Sequence, residues 1–274
     1  MKSGLLLGLL LICVAIGGIG CANQPTKRDV AQSDSHLRMA MQYYKKRRPR
    51  RALQHLYEAE KLNPYSYNGQ RLLATHLLHI GRPKEAKKRF MRVVELKPKY
   101  PSAWNGLGAF YASQKKWDKA LETFHKGLKM VSFQDPCLLE SNLGRTYHQV
   151  KKLSKARTYL RRAADHCQGW HRCRANLWLG QAAELQRDHN EALTSYQKVV
   201  STCKTYIPGH YAYGRSLTKQ KRFEEAARSF NKCLKLCGSS KNCPQIVFRS
   251  CNNMLSKVRQ QLAQNAVKVQ SSVQ

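Results

Sequence analysis

An all-α fold, a right-handed superhelix of six helical hairpins closed by a C-terminal capping helix, is what this sequence predicts. Three observations lead there. Alanines recur at 52, 86, 120, 156, 192 and 226, separated by 34, 34, 36, 36 and 34 residues. Around each of them, small and bulky apolar residues return at fixed offsets. Prolines then punctuate the period: Pro64 and Pro98 close the first two repeats, because proline cannot continue a helical hydrogen-bond ladder. A period of this size marks stacked helical units, each burying its apolar face against its neighbours.

With the recurring alanine set at repeat position 20, position 8 reads Ala40, Ala74, Gly108, Gly144, Gly180 and Gly214. Position 24 reads Leu56, Phe90, Phe124, Leu160, Tyr196 and Phe230, and position 27 reads Ala59, Val93, Gly127, Ala163, Val199 and Cys233. Small residues at 8, 20 and 27 let two helices cross closely, while the bulky residue at 24 fills the gap beside them. The third repeat is the clearest copy, with Trp104, Leu107, Gly108, Tyr111, Ala120 and Phe124 in frame. The pattern resembles the tetratricopeptide repeat (TPR), and six copies occupy residues 33–240. Beyond them Pro244 opens a helical apolar pattern of Val247, Cys251, Leu255, Val258 and Leu262, as expected of a capping helix over 241–262. Residues 263–274 are polar and read as a flexible tail.

The N-terminus predicts export. Lys2 precedes an almost wholly apolar run over residues 4–16, and Gly17-Gly18-Ile19-Gly20 follows with small residues, so 1–20 reads as a signal peptide. The run falls short of the roughly 20 residues of a membrane span. Gly20-Cys21 resembles the end of a bacterial lipobox, which makes Cys21 the expected lipidation site and 21–32, polar and containing Pro25, the tether. By the same resemblance Ala22 implies the outer membrane, with the protein on its periplasmic face. An ordinary cleaved signal with an incidental cysteine is the other reading.

With Cys13, inside the apolar run, and Cys21 set aside, eight cysteines remain, from Cys137 to Cys251, and an even number in an exported chain reads as disulfides. Cys137 and Cys167 hold positions 1 and 31 of the fourth repeat, and Cys173 and Cys203 hold the same positions of the fifth. Those positions lie at the same end of an antiparallel hairpin, so the expected pairs are Cys137–Cys167 and Cys173–Cys203. Cys237 then pairs with nearby Cys243, and Cys233 with Cys251 on the cap. A local Cys167–Cys173 bridge is the alternative. His166, Cys167, His171 and Cys173 also offer zinc-type ligands, but at no standard finger spacing; no metal and no cofactor are expected.

The net charge of +33 points to an anionic partner. The densest run, Lys45-Lys46-Arg47-Arg48-Pro49-Arg50-Arg51, falls in the first hairpin's turn. Export argues against nucleic acid and for an anionic envelope component or a solvated turn. Histidines such as His76, His79, His148 and His210 stand in first helices with no nucleophile at a recognisable spacing, and no glycine-rich phosphate loop occurs. The chain reads as a binding scaffold, not an enzyme.

A lipidated cysteine, a tether and six such repeats together resemble the type IV pilus pilotins, the PilF/PilW/Tgl-like outer-membrane lipoproteins. The nearest stretch runs over 104–164, including Trp104-Asn105-Gly106-Leu107-Gly108, Glu140-Ser141-Asn142-Leu143-Gly144-Arg145 and the insertion at Asp135-Pro136. The resemblance implies a secretin partner, helped to reach the outer membrane and assemble for type IV pili. A scaffold for peptidoglycan or another anionic envelope polymer is the alternative. Repeat positions 2, 5, 9, 12 and 13 of first helices line the inner face of such an array. They give a candidate groove of Leu37, Met41, Tyr44, Arg71, Thr75, Leu78, His79, Asn105, Ser141, Arg145 and His148. Arg71 is placed to meet a carboxylate or carbonyl, and the other reading of Leu37 and Met41 is that they pack beneath the tether.

Overall fold

The computed structural model describes residues 24–130, 136–240 and 243–273. The export signal, Cys21, the start of the tether and Asp135 lie outside the described residues. The chain divides into two compact units, Met1–Leu96 and Lys97–Gln274. In the first, α1 (Lys27–Lys45) pairs with α2 (Pro49–Leu62) and α3 (Tyr67–His79) with α4 (Pro83–Leu96). In the second, four more hairpins follow: α5 (Pro101–Ser113) with α6 (Trp117–Met130), α7 (Cys137–Gln149) with α8 (Leu153–His166), α9 (Gly169–Leu185) with α10 (His189–Thr202), and α11 (Ile207–Lys219) with α12 (Phe223–Gly238). The last helix, α13 (Gln245–Val273), packs on α12. The fold is all-α, built of tetratricopeptide-type hairpins with a C-terminal helix.

The repeat frame is physically realised. All six alanines at position 20 are buried, none more than 1% exposed. Position 24 fills the crossing beside them, from Leu56 and Phe90 to Phe230. Where position 8 is glycine, the reason is contact. A Cβ on Gly108 would lie 2.3 Å from the Phe124 ring, and one on Gly180 would lie 2.5 Å from Tyr196. The first helix therefore rests directly on the position 24 side chain of the second, an aromatic ring at Gly108, Gly180 and Gly214 and Leu160 at Gly144.

Each hairpin turns in the same way. Arg47, Gly81, Lys115, Lys151, Arg187 and Lys221 all have φ between 54° and 78°, and each stands at repeat position 15. The amide of the following residue reaches back to close the first helix: Arg48 N to Tyr43 O at 2.9 Å, Arg82 N to Leu77 O at 2.8 Å, Lys116 N to Tyr111 O at 3.0 Å, Lys152 N to Tyr147 O at 2.9 Å, and likewise Asp188 and Arg222. This is the left-handed helix end that glycine serves best, because it has no Cβ to strain. Only the second hairpin has glycine there; the other five carry a cation. We expect Lys151→Gly to stabilise the protein by about 1 kcal/mol through relief of that strain. Chemical denaturation with Lys152→Gly as control checks it, and equal effects of the two variants would refute the strain account.

Both chain ends differ from the sequence reading. The expected tether runs through residue 32, yet α1 begins at Lys27. Thr26 and Asp29 form a capping box: Thr26 Oγ1 accepts from Asp29 N at 3.1 Å, and the Asp29 carboxylate accepts from Thr26 N at 2.9 Å. At the other end, the expected boundary at 262 and loose tail over 263–274 give way to one helix through Val273. Cys251, Leu255 and Val258 bury its first half, and good helix formers such as Ala263, Gln264 and Ala266 carry it onward with no glycine or proline to stop it.

The cysteines join within hairpins and to the cap: Cys137 to Cys167, Cys173 to Cys203, Cys233 to Cys251 and Cys237 to Cys243, with Cα separations of 4.9, 6.3, 6.4 and 5.2 Å. Cys137 opens α7 and Cys167 caps α8. In the next hairpin, α9 starts a turn earlier than position 1, at Gly169, so Cys173 sits inside the helix while Cys203 caps α10. Cys167 and Cys173 are thus held by separate disulfides, and His166 bonds the buried Glu140 through Nδ1 at 2.6 Å.

Candidate functional site

In the first unit, position-specific exposure divides the expected groove. Leu37 is 6% exposed, close to the backbone of Gly69, and belongs to the core. Its place on α1 turns it between the hairpins instead of outward, which removes it from the groove. One turn on, Met41 and Tyr44 are 50% and 51% exposed, a large apolar exposure for neighbouring turns of one helix. With Ala40, Ala52, Leu56, Leu72, Thr75 and His76 they surround a cavity of about 130 Å³. The Tyr44 ring meets His76 and His79 edge-on, with centroids 5.9 and 5.8 Å away. His76 is fixed beneath it by a 2.9 Å hydrogen bond between Nε2 and Pro49 O. Burial holds the His76 imidazole below its usual pKa, favouring the neutral ring and keeping the pocket apolar. Arg71 and Leu78 are half-buried and do not line this cavity; the Arg71 carbonyl accepts from Thr75 Oγ1 at 2.9 Å.

The expected groove residues of the second unit form a polar site. Asn142 Nδ2 donates to Asn105 Oδ1 at 2.6 Å, and Arg145 Nη1 donates to Asn142 Oδ1 at 3.2 Å. The Arg145 guanidinium stands 5.2 Å from the centre of the Trp178 ring, and His148 meets the same ring edge-on at 5.2 Å. A cavity of about 260 Å³ opens beside Arg145, lined also by Ala109, Trp117, Phe124, Asn142, Thr146 and Gln149. Burial, together with the like charge of Arg174, pushes Arg145 below the ordinary arginine pKa. Burial likewise lowers His148, with Lys151 adding to the effect. Ser141 is half-buried next to Asn142 and takes no part in these bonds.

Asn142 and Trp178 are the residues that the sequence reading missed. Both occupy repeat position 6, adjacent to the position 5 residues Ser141 and Leu177. Position 6 lies one turn before position 9 or 10 on the same helix, so extending the groove pattern by one residue finds both.

Paired antiparallel helices with small residues at 8 and 20 are the fold of the tetratricopeptide repeat. Family models described as tetratricopeptide repeat match residues 71–134, 174–203 and 208–240. Two plant proteins are similar in sequence: Hsp70-Hsp90 organizing protein 3 of Arabidopsis thaliana, 29% identical over 115 residues, and Hsp70-Hsp90 organizing protein 1 of Glycine max, 29% identical over 129 residues. The matches cover 41% and 46% of this chain but only 20% and 22% of those proteins. Among solved structures, Pseudomonas aeruginosa PilF is similar with a TM-score of 0.66 at 16% identity, over 83% of this chain and 99% of PilF. PilW, described as a widely conserved type IV pilus biogenesis factor, gives 0.65 at 16% identity over 78% and 98%. Identity this low shows likeness of fold alone.

Proposed function

We propose that this chain is a lipid-anchored, outer-membrane scaffold that holds a protein partner, acting as a pilotin that assists secretin assembly for type IV pili. The observation that carries the partner-binding reading is the unit 1 pocket, where Met41 and Tyr44 stand half-exposed around an apolar cavity. Apolar and aromatic anchors of this kind dominate the energetics of protein contacts. The cavity has room for one aliphatic side chain of a partner segment. The lipobox-like Gly20-Cys21 supports the anchor, and the likeness of fold to PilF and PilW over nearly their whole length supports the pilus role.

Met41→Glu, which sets a charge in the pocket mouth, is expected to abolish capture of the secretin from envelope extract and the formation of secretin pores, with the helical circular dichroism unchanged. Tyr44→Ala is expected to act in the same direction. Cys21→Ser is expected to release the protein from the membrane fraction, since covalent lipid would be the anchor. Wild-type pilus assembly by the Met41→Glu and Tyr44→Ala proteins would sink the pocket reading; membrane retention of Cys21→Ser would sink the anchor.

A second reading, a scaffold for peptidoglycan or another anionic envelope polymer, draws on the net charge of +33 and the exposed Arg47, Arg48, Arg50 and Arg51. Salt separates the two: capture through an apolar pocket survives high ionic strength, and capture through exposed charge does not.

A further inference from the structure

The first hairpin gathers its charge in one place. Between Asp34 and Glu58 the chain holds seven cations and no acid, and six of the seven fall in the run Lys45 to Arg51, interrupted only by Pro49. The run spans the end of α1, the turn and the start of α2, and each of its residues is exposed. Other turns compensate their charge internally: Arg82 pairs with Glu85 at 2.5 Å and Arg222 with Glu225 at 2.6 Å. Repeat position 19, which holds Glu85, Glu191 and Glu225 in three other repeats, holds Arg51 here. Among the described residues, none of the six cations forms an ion pair. Such crowding costs self-repulsion that an anionic partner relieves.

The form of the cluster says what kind of anion it fits. Arg48, Pro49, Arg50 and Arg51 frame an open depression of about 470 Å³. No side-chain hydrogen bond orients these guanidinium groups among the described residues; Arg51 alone has a support, the Tyr43 ring 5.8 Å away. The turn is therefore built to meet a field of many closely spaced charges, not one shaped ligand, and a leaflet of phosphate-bearing lipids presents such a field. The reach agrees. The five residues between Cys21 and Lys27 cannot span more than about 20 Å, and the 19 residues of α1 extend about 28 Å beyond them. A hairpin lying along the leaflet brings its turn to the lipid phosphates while its base stays within range of a lipid on Cys21. We propose that the turn of the first hairpin docks on an anionic lipid leaflet through its arginines and lysines, laying the hairpin along the membrane. The reach rests on the reading of Cys21 as the anchor; the charge does not. Exposed charges are screened beyond roughly 10 Å at 0.1 M salt, so the contact orients an anchored chain but does not hold a free one through a salt wash. Release of Cys21→Ser from washed membranes remains the expected result.

The test uses the full mature chain, oxidised, with Cys21→Ser so that no lipid contributes. At low ionic strength it is expected to float with vesicles of equal parts phosphatidylglycerol and phosphatidylcholine, and not with phosphatidylcholine alone. Arg48→Gln, Arg50→Gln and Arg51→Gln together should weaken this binding by about tenfold or more, with circular dichroism unchanged. Lysine at the same three positions should preserve it, because the leaflet reads charge. Lys119→Gln, Lys198→Gln and Lys232→Gln, which remove equal charge from exposed positions of unit 2, should change it much less. Equal weakening by the two glutamine triples would show only the general field of a +33 chain and overturn the site. So would absence of vesicle binding, or loss of binding with the lysine triple. Displacement by inorganic phosphate beyond that by chloride of equal ionic strength would point to a single-phosphate pocket and also overturn it. Retention on isolated peptidoglycan through the same arginines, without vesicle binding, would assign the turn to the polymer instead. With no lipid on the chain, each of these failures leaves the Cys21 anchor untouched, and the anchor can fail its own test alone.

Discussion

Replacing Gly180 by alanine is expected to destabilise the protein by about 3 kcal/mol, the upper range for a methyl forced into a filled core. A Cβ there would fall 2.5, 2.8 and 2.8 Å from three atoms of the Tyr196 ring. The ring has little freedom to yield. It is fully buried, and its hydroxyl donates to Glu184 Oε2 at 2.9 Å, while the other Glu184 oxygen accepts from Lys219 Nζ at 2.8 Å. Relief therefore requires moving α10 away from α9 or breaking the bonds that join this hairpin to α11. Burial and the adjacent Glu184 charge also push the Tyr196 phenol far above its usual pKa, so the hydroxyl stays a donor throughout the ordinary pH range. Gly81→Ala is the control. Nothing lies within 4 Å of a Cβ at Gly81, so only the left-handed φ of 78° resists, at a cost of about 1 kcal/mol. Urea unfolding followed by circular dichroism compares the two. A Gly180→Ala midpoint equal to that of Gly81→Ala would mean that the helices do not meet as closely as the ring contact requires.

That contact shows why the fold was legible. Gly180 and Tyr196 lie at repeat positions 8 and 24, and a close helix crossing restricts both, so the same residue sizes recur wherever the crossing recurs. The turns were less legible for the opposite reason. Position 15 adopts the same left-handed backbone in every hairpin, yet only Gly81 advertises it; Arg47, Lys115, Lys151, Arg187 and Lys221 absorb the strain and read as ordinary surface cations. The groove was partly legible. Met41, Tyr44, Thr75, Asn105 and Arg145 line cavities or join the polar network, but the frame alone cannot say how far a helix is rotated against its neighbour. Leu37 therefore turned out to be core, and Asn142 and Trp178, at the adjoining position, had been passed over. The helix ends depended on local chemistry that a 34-residue period does not encode: the Thr26–Asp29 capping box at one end, an uninterrupted run of helix formers at the other.

The disulfides set up the second large effect. Cys137→Ala with Cys167→Ala is expected to cost about 3 to 4 kcal/mol, and Cys173→Ala with Cys203→Ala the same, because each bridge closes a 30-residue separation in the unfolded chain. Removing Cys237 and Cys243, only 6 residues apart, should cost nearer 2 kcal/mol, since a short loop loses less entropy on closure. The losses should also be local. In stacked repeats stability is close to a sum of each hairpin and its contacts with the next, and the first unit contains no cysteine among its described residues. Cys137 and Cys167 lie beside Ala163 and Ala175 in one buried cluster, so opening that bridge loosens the start of α7 against the end of α8 and the face of α9. Amide hydrogen exchange on the reduced protein should show protection falling across α7 to α10 and across α12 and α13, where the other two bridges open, while α1 to α4 keep theirs. Non-reducing peptide mapping fixes the connectivity independently. Uniform loss of protection across both units would contradict the local account, and an unaltered exchange pattern on full reduction would show that the bridges contribute nothing to the fold.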